Sequence, residues 1–346
     1  MFAALPYYWG NPGYAAKMEF LDDRRDSFNV FFFGSSRIYR QVMPDVFDAH
    51  TQGATRSFNL GYRATFNPES YYLLENFIKK KAVKPTHILI ELQPFVPIAD
   101  RNLHTVRSNY FLDYSYFSLV KNEYENANSP CTSKVQGESA SQNPDKNSSD
   151  TSKVSGEAVA NHLKNLRLSF LDNLLKHNHS REMLLSLLGQ SDRDTRALGT
   201  EKDGFISLDK SALHTEGLVK RRAEFLAQYD TTQTSFDAEM TSYQIAGKDS
   251  LTHHTPHLQK INQLIETAAR QNYTLIFVLV PKRSELLPLF HQIPIENRIN
   301  LANPQQFPHF YHNKYWFDKK HFNETGAEIF TQELAKKYVN KYVQKR

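Results

Sequence analysis

Short apolar runs alternate with helical segments in the first hundred residues, and this alternation constrains the fold more than any other feature. The runs are rich in large apolar side chains and end at or just before glycine or proline; they are Phe28–Phe33, Ser57–Gly61 and Thr86–Leu92. A helix is predicted after the second run, with Asn67 as its cap and Pro68 in its first turn. Buried strands that alternate with helices form a parallel sheet with helices on its faces. We therefore predict an α/β fold, a three-layer sandwich with a central parallel sheet.

The alternation stops near residue 100 and resumes near residue 255. Tyr273–Val280 is the strongest strand candidate; an amphipathic helix is predicted before it over 258–271, and a last helix over 324–343. Residues 125–156 are dominated by polar side chains, which bury too little apolar surface to offset the entropy of ordering. This composition predicts a disordered loop. Residues 157–255 are predicted to form a mainly helical insertion.

One interrupted α/β domain explains these segments. The length of 346 residues suggests about two domains. Because the strand pattern resumes after the insertion, we instead predict a single domain over 28–340, preceded by a lead-in over 1–27. Residues 341–346 form a basic tail, which we interpret as the solvated face of the last helix.

Composition and charge exclude several functional classes. No run of about 18 apolar residues is present, so no membrane span is predicted. The single Cys131 excludes a disulfide framework and a cysteine-rich metal site. The net charge of +5 is small and spread, and no nucleic-acid-binding motif accompanies it, so no nucleic-acid partner is expected. His253, His254 and His257 lack an acidic ligand nearby, so neither a metal nor a cofactor is predicted.

Ser36 lies where the first predicted strand turns into a helix. In open parallel sheets, sites gather beyond the carboxyl ends of the strands. Backbone amides at the start of the following helix can stabilise an oxyanion. Capping a helix is the commoner role of a serine at this position, so the spacing leaves both interpretations open.

A second candidate feature lies near the end of the chain. Asp318 and His321 are three residues apart, just before the last predicted helix. This spacing allows the carboxylate to bind Nδ1 of the imidazole and so fix the tautomer in which Nε2 accepts a proton. A hydroxyl nucleophile needs such an oriented base. The alternative is that Asp318 forms a local turn and His321 is a surface residue.

Taken together, these residues resemble the SGNH, or GDSL-like, superfamily of esterases and acyltransferases. Residues 34–36 (Gly-Ser-Ser) resemble the first block, 59–61 (Asn-Leu-Gly) the second, and Asp318-x-x-His321 the closing block. The Gly-Ser-Ser-Arg form of the first block is most similar to the branch that contains the cell-envelope acyl-transfer proteins of alginate acetylation and teichoic-acid D-alanylation. The resemblance implies an SGNH/flavodoxin-like sandwich and covers residues 28–95 and 273–340, without the insertion.

The resemblance also implies a site. Ser36 would be the nucleophile, His321 the general base and Asp318 its orienting carboxylate. The second block, which contains Asn59, would supply an oxyanion amide from Gly61 or from Ala64, and the sequence leaves that choice open.

Two further residues are candidates for binding substrate or the oxyanion. The family's third block carries an oxyanion asparagine, and here Gln93 is the amide side chain at about that place. Arg37 either binds an anionic group of the substrate or pairs with a carboxylate such as Glu91, and we favour the pairing.

By resemblance, the expected function is a serine esterase or O-acyltransferase acting on acyl, particularly acetyl, esters of cell-envelope polysaccharide. The expected partners are an acylated carbohydrate or small ester and a membrane-bound O-acyltransferase. An extracytoplasmic location is expected, with the apolar start Met1–Pro6 as the stub of an anchor; the alternative is a cytoplasmic small-ester hydrolase. A further alternative is a non-catalytic envelope scaffold or assembly protein with the same fold.

Overall fold

The computed structural model describes most of the chain outside its N-terminus and part of its middle. The described residues are 10–112, 114–127, 156–175, 184, 185, 188, 193–246 and 255–344. Within these ranges, every helix is too short or too polar to cross a bilayer. Cys131, His253 and His254 lie outside them.

Five parallel strands form the central sheet. They are β1 (Val30–Phe33), β2 (Ser57–Asn59), β3 (Thr86–Glu91), β4 (Tyr273–Leu279) and β5 (Arg298–Asn300). Their order across the sheet is β2-β1-β3-β4-β5, and all neighbouring pairs are parallel. Helices flank the sheet, so the predicted α/β three-layer sandwich with a central parallel sheet is confirmed. The short β5 was not predicted from the sequence.

The described ranges contain thirteen α-helices. Those before β4 are α1 (Pro12–Asp22), α2 (Ser36–Gln41), α3 (Pro44–His50), α4 (Glu69–Ile78), α5 (Val106–Phe111), α6 (Tyr114–Ala127), α7 (Gly156–Leu175), α8 (Leu208–Ala212), α9 (Glu216–Ala227), α10 (Tyr229–Ala246) and α11 (Thr255–Arg270). Those after it are α12 (Leu287–Gln292) and α13 (Glu324–Tyr338), which continues as a π-helix over Val339–Val343.

Alternate side chains of each strand pack into two separate cores, one on each face of the sheet. In β1, Phe31 and Phe33 join the core that contains residues of α1, α4 and α11. Val30 and Phe32 join the other core, with residues of α3 and α13. Successive strand residues point to opposite faces, so a strand that is apolar throughout must be covered on both sides. This double burial explains the continuous apolar runs in the sequence.

Several local predictions need correction. Asn67 does not cap α4, because Pro68 occupies the cap position and Asn67 Nδ2 instead lies 3.0 Å from His257 Nε2. The predicted disordered loop begins too early, since residues 125–127 belong to α6, and residue 156 already starts α7. The rest of that loop lies outside the described residues.

The predicted basic tail is not wholly solvated. Lys341 donates from Nζ to the carbonyl of Arg298 at 2.7 Å.

The insertion contributes helices between β3 and β4. The described residues of 157–255 include most of α7, all of α8, α9 and α10, and the first residue of α11. The assignment of the whole length to one interrupted domain stays a prediction.

Candidate active site

A sharp turn after β1 places Ser36 at the carboxyl edge of the sheet. Gly34 has a φ of +153°, a conformation that side chains with a Cβ rarely adopt. A Cβ at Gly34 would lie 2.4 Å from Cγ1 of Ile38 and 2.8 Å from Oε2 of Glu91. Glycine is therefore required both by the backbone and by the space. Ser35 then caps α2 by accepting the N–H of Arg37 at 3.2 Å, so the capping role belongs to Ser35, and Ser36 is the first helical residue.

Ser36, His321 and Asp318 come together as a hydrogen-bonded chain. Oγ of Ser36 lies 2.8 Å from Nε2 of His321. Nδ1 of the same imidazole lies 2.9 Å from Oδ1 and 3.1 Å from Oδ2 of Asp318. Residues 36 and 321 are 285 positions apart, so the fold, and not local sequence, creates the first contact. This geometry allows the imidazole to take a proton from the hydroxyl while the carboxylate holds its tautomer.

The Asp318 carboxylate is held by its own loop and by a residue of the insertion. Oδ1 accepts the backbone N–H groups of Lys320 at 2.7 Å and His321 at 2.8 Å. Arg221 Nε lies 3.0 Å from Oδ2. Burial by itself raises the pKa of Asp318, but hydrogen bonding from His321 and the charge of Arg221 outweigh it, and the pKa lies below its ordinary value. Asp318 is therefore ionised at neutral pH. No pattern in the sequence indicates that Arg221 reaches this carboxylate.

A buried carboxylate fixes the turn that carries Ser36. Oε2 of Glu91 accepts the N–H of Ser35 at 2.8 Å and the Ser35 hydroxyl at 2.7 Å. The same oxygen accepts Nε2 of Gln93 at 2.9 Å. Gln93 also donates to the carbonyl of Thr65 at 3.1 Å, and its Oε1 accepts the hydroxyl of Ser70 at 2.7 Å. Both amide hydrogens of Gln93 are thus donated inside the protein. The predicted oxyanion role of Gln93 is replaced by a structural one.

Asn59 and Gly61 are likewise committed to internal hydrogen bonds. Nδ2 of Asn59 donates to the carbonyls of Ile38 and Val42, each at 2.8 Å. Its Oδ1 accepts the N–H of Gly61 at 2.9 Å. Asn59 is fully buried, so a direct substrate contact is excluded in this arrangement. The sequence leaves open whether Gly61 or Ala64 supplies the oxyanion amide. In the structure, the N–H of Gly61 is already donated to Asn59.

Ala64 is the better-placed amide of the pair. It has a φ of +53° and lines the same cleft as Ser36. The backbone N–H groups of Ser36 and Ala64 find no acceptor in the part of the chain that the structure describes. Such amides at the edge of a cleft are suited to binding an oxyanion.

Arg37 does not form the predicted ion pair with Glu91. Its Nη1 donates to the carbonyl of Pro281 at 2.8 Å. Burial, together with the charge of Arg283, lowers the pKa of Arg37 to about 10, and the charge of Glu91 partly opposes this. Arg37 is buried, and this bond joins α2 to the loop after β4. The observed partner is therefore a backbone carbonyl and not the Glu91 carboxylate.

Lys17 is a buried residue that sequence reasoning missed. Its Nζ donates to the carbonyls of Asn59, Gly61 and Gly204, each at 2.8 Å. The side chain is fully buried, and Nζ lies 4.2 Å from the centre of the Tyr39 ring. Lys17 therefore connects α1, the second block and the insertion. The one feature of the sequence that points to Lys17 is the presence of a lysine among the largely apolar residues of α1.

A cleft of about 1120 Å³ opens beside the Ser36–His321 pair. Much of its wall comes from residues 194–221, in the segment between β3 and β4. Charged side chains of both signs line it; they include Arg40, Asp45, Arg63, Asp194, Lys210 and Arg221. Within the described ranges, no group of three or more His, Cys, Asp or Glu side chains is arranged to hold a metal ion. His257, in the histidine cluster, is buried and lies 2.9 Å from the hydroxyl of Tyr71.

Lys282 adds a titratable cation behind the site. Its Nζ donates to the carbonyl of Lys319 at 2.8 Å, in the loop that carries Asp318 and His321. Burial, with the Arg37 guanidinium nearby, lowers the pKa of Lys282 to about 7 from 10.5. Between these two values the unfolded chain holds a proton that the folded chain has released, so stability rises with pH. Below pH 7 both states are protonated, and the full cost of burying the charge is present.

We expect Lys282→Met to remove this pH dependence. From pH 7 to about pH 8.5, the free energy of unfolding of the native protein should rise by about 1.5 kcal/mol relative to Lys282→Met. Urea denaturation at a series of pH values measures the difference. Lys319→Met, which removes an exposed lysine of the adjoining loop, serves as the matched control and should keep the native slope. Equal slopes for the native protein and Lys282→Met would contradict this assignment.

Comparisons with known proteins found nothing similar. A scan of protein-family models, a search of curated proteins and a search of solved structures gave no match for the chain. The interpretation of the site depends on the contacts among Ser36, His321 and Asp318.

Proposed function

We propose that the protein is an SGNH-type serine esterase or O-acyltransferase that works through an acyl-enzyme. The observation that carries the proposal is the contact of 2.8 Å between Oγ of Ser36 and Nε2 of His321. The bond from His321 Nδ1 to the Asp318 carboxylate supports it, because this bond leaves Nε2 as the proton acceptor. The resemblance of residues 34–36, 59–61 and 318–321 to the SGNH blocks supports it independently.

In the proposed reaction, His321 Nε2 takes the proton of the Ser36 hydroxyl as Oγ attacks the carbonyl carbon of an ester. The carbonyl oxygen becomes an oxyanion, which accepts hydrogen bonds from the backbone amides of Ser36 and Ala64. Collapse breaks the bond to the alcohol, which leaves with the proton held by His321. Water or a sugar hydroxyl then gives its proton to His321 and attacks the acyl-enzyme. The bond between the acyl carbon and Ser36 Oγ breaks, and His321 returns the proton to Oγ, which restores the free serine and the neutral base.

The substrate class is proposed from resemblance and from the size of the cleft. Its volume of about 1120 Å³ lies just above the usual range for small-molecule sites, about 300–1,000 Å³, and so favours a substrate larger than a simple ester. We propose acyl, particularly acetyl, esters of cell-envelope polysaccharide, with a membrane-bound O-acyltransferase as partner. This function would place the protein on the outer side of the cytoplasmic membrane.

A non-catalytic scaffold is a second candidate, and one observation favours it. The amides of Gln93 and Gly61, two of the expected oxyanion donors, are donated inside the protein. Losing one oxyanion donor lowers rates by roughly 10²–10³. A protein with this fold and a weakened oxyanion site would serve in assembly without much turnover.

Labelling with a fluorophosphonate separates the two functions. We expect intact-protein mass spectrometry to show one adduct, and peptide mapping to place it on Ser36, because only a serine with an oriented base reacts readily. The His321→Gln variant, which removes the base, should react at least about 100-fold more slowly. Heat-denatured protein is the control for non-specific reaction. Absence of any Ser36 adduct in the folded protein would overturn the enzymatic proposal and favour the scaffold.

A further inference from the structure

Helix α9, from the insertion, makes close contacts with the loop that carries Asp318. Arg221 Nε lies 3.0 Å from Oδ2 of Asp318. The next residue, Arg222, donates from Nη1 to the carbonyls of Trp316 at 2.5 Å and Phe317 at 3.0 Å. Two successive arginines of one helix thus bind three successive residues of the loop, one through its carboxylate and two through their backbone.

The helix is anchored, so these arginines are held in place. Phe225, one turn further along α9, is buried in the same core as Trp316. The guanidinium carbon of Arg222 lies 5.6 Å from the centre of the Phe225 ring and 5.5 Å from that of Phe317. Because the insertion packs into this core, its position relative to the loop is set by apolar burial and not by the ion pair.

The two carboxylate oxygens of Asp318 are held differently. Oδ1 accepts three N–H groups from residues 320 and 321 of its own loop. Oδ2 meets Arg221 and, at 3.1 Å, the Nδ1 of His321. Among the described residues, Arg221 is the one side chain of another element that forms an ion pair or hydrogen bond with the Asp318 carboxylate. A carboxylate that is 6% exposed loses much of its hydration, and the guanidinium replaces part of it.

We propose that Arg221 is a positioning residue for the Asp318–His321 pair, supplied by the insertion. This inference rests on the proposed function, since it assigns Arg221 a role in proton transfer from Ser36. The guanidinium holds Oδ2 so that the carboxylate stays in line with Nδ1. Because Arg221 places a positive charge beside this pair, removing that charge should change the pH dependence of the reaction.

Other charged groups face this loop and remain in place when Arg221 is changed. Lys282, from the loop after β4, donates to the Lys319 carbonyl at 2.8 Å. Lys319 and Lys320 are exposed residues of the loop itself. At the start of α13, Glu324 pairs with Lys210 of α8 at 3.0 Å. A shift of the pH profile on changing Arg221 is therefore attributable to that residue.

The test compares Arg221→Gln with Lys220→Gln in the full chain. Lys220 is an exposed neighbour on α9, so its variant removes the same charge without touching Asp318. The readout is the rate of fluorophosphonate labelling from about pH 5 to about pH 9, which spans imidazole titration. We expect Arg221→Gln to be labelled about 3- to 10-fold more slowly at neutral pH. The effect is modest because the Arg221 side chain is 44% exposed, and solvent weakens an ion pair at such a position. Its acid limb should move up by about 0.5 pH unit, whereas Lys220→Gln stays within about 2-fold of the native rate.

The conservative variant Arg221→Lys should return the acid limb to its native position, because it restores the charge. Thermal unfolding of each variant checks the fold separately. Equal rates and equal acid limbs for Arg221→Gln and Lys220→Gln would overturn the role of Arg221 and leave the proposed function standing. If Arg221→Gln is labelled more slowly, its acid limb does not move, and Arg221→Lys does not restore the rate, Arg221 has only a packing role. That result would also overturn the proposal. If the native protein is not labelled at Ser36, the proposed function fails, and this inference fails with it.

Discussion

Ser36→Ala is expected to lower hydrolysis of an acetyl-ester reporter by roughly 10³-fold or more, the scale seen when a triad nucleophile is removed. The change deletes the oxygen that lies 2.8 Å from His321 Nε2. We expect the fold to stay intact, since Ser36 is not the cap of α2. Initial rates with p-nitrophenyl acetate, corrected for reaction in buffer, measure the effect. Turnover that is unchanged in Ser36→Ala would contradict the assignment of the nucleophile.

Ser35→Ala is the matched control, because the neighbouring serine is the only other hydroxyl of the turn. Its Oγ is bonded to Oε2 of Glu91 at 2.7 Å, and the residue is 2% exposed, so it does not face a substrate. We expect this variant to lose about 1–3 kcal/mol of unfolding free energy, from the lost cap and the Glu91 bond. Its turnover should fall far less than that of Ser36→Ala. The reverse order of effects would identify Ser35 as the reactive residue.

The sequence predicts the sheet, the turn before Ser36 and the Asp318–His321 pair because all three depend on short-range patterns. The catalytic role of these residues stays a prediction. A strand buried on both faces is apolar at nearly every position, and β1 and β4 show this directly, whereas β3 shows it over its central residues 88–90. The turn at Gly34 and the spacing of Asp318 and His321 also require particular residues within a few positions. The three-residue β5 has no such pattern, since only Ile299 among its residues is buried. Its pairing with β4 comes from the fold.

The contacts around the reacting groups were harder to predict, because a polar residue near a site has several partners within reach. Asn59 matched a block associated with the oxyanion, yet its carboxamide binds the backbone of Ile38, Val42 and Gly61. Gln93 lies close to the predicted place, but both hydrogens of its amide are donated inside the protein, to Glu91 and to the Thr65 carbonyl. Arg221 is separated from Asp318 by nearly a hundred residues, and nothing local in the sequence indicates that α9 reaches the site.

Lys17 is the clearest case of a residue whose importance depends on the fold, and its replacement should have the largest effect on stability. The ammonium donates to three buried carbonyls, at Asn59, Gly61 and Gly204, each at 2.8 Å. An ammonium has three N–H groups, so these three bonds use all of them. Burial lowers the pKa of Lys17 well below its ordinary value, and the nearby Asp203 carboxylate partly offsets this.

We expect Lys17→Met to lower the free energy of unfolding by about 3–5 kcal/mol, because each buried carbonyl that loses its donor costs about 1–3 kcal/mol, while the desolvation of the lysine charge is no longer required. Urea denaturation followed by tryptophan fluorescence measures the loss. Lys84→Met, at an exposed position, should change stability by less than about 0.5 kcal/mol. Since Lys17 joins the second block to the insertion, turnover in Lys17→Met should fall in proportion to the folded fraction. A loss below about 1 kcal/mol, the value of a single ordinary hydrogen bond, would mean that the three carbonyls find other donors when the lysine is absent.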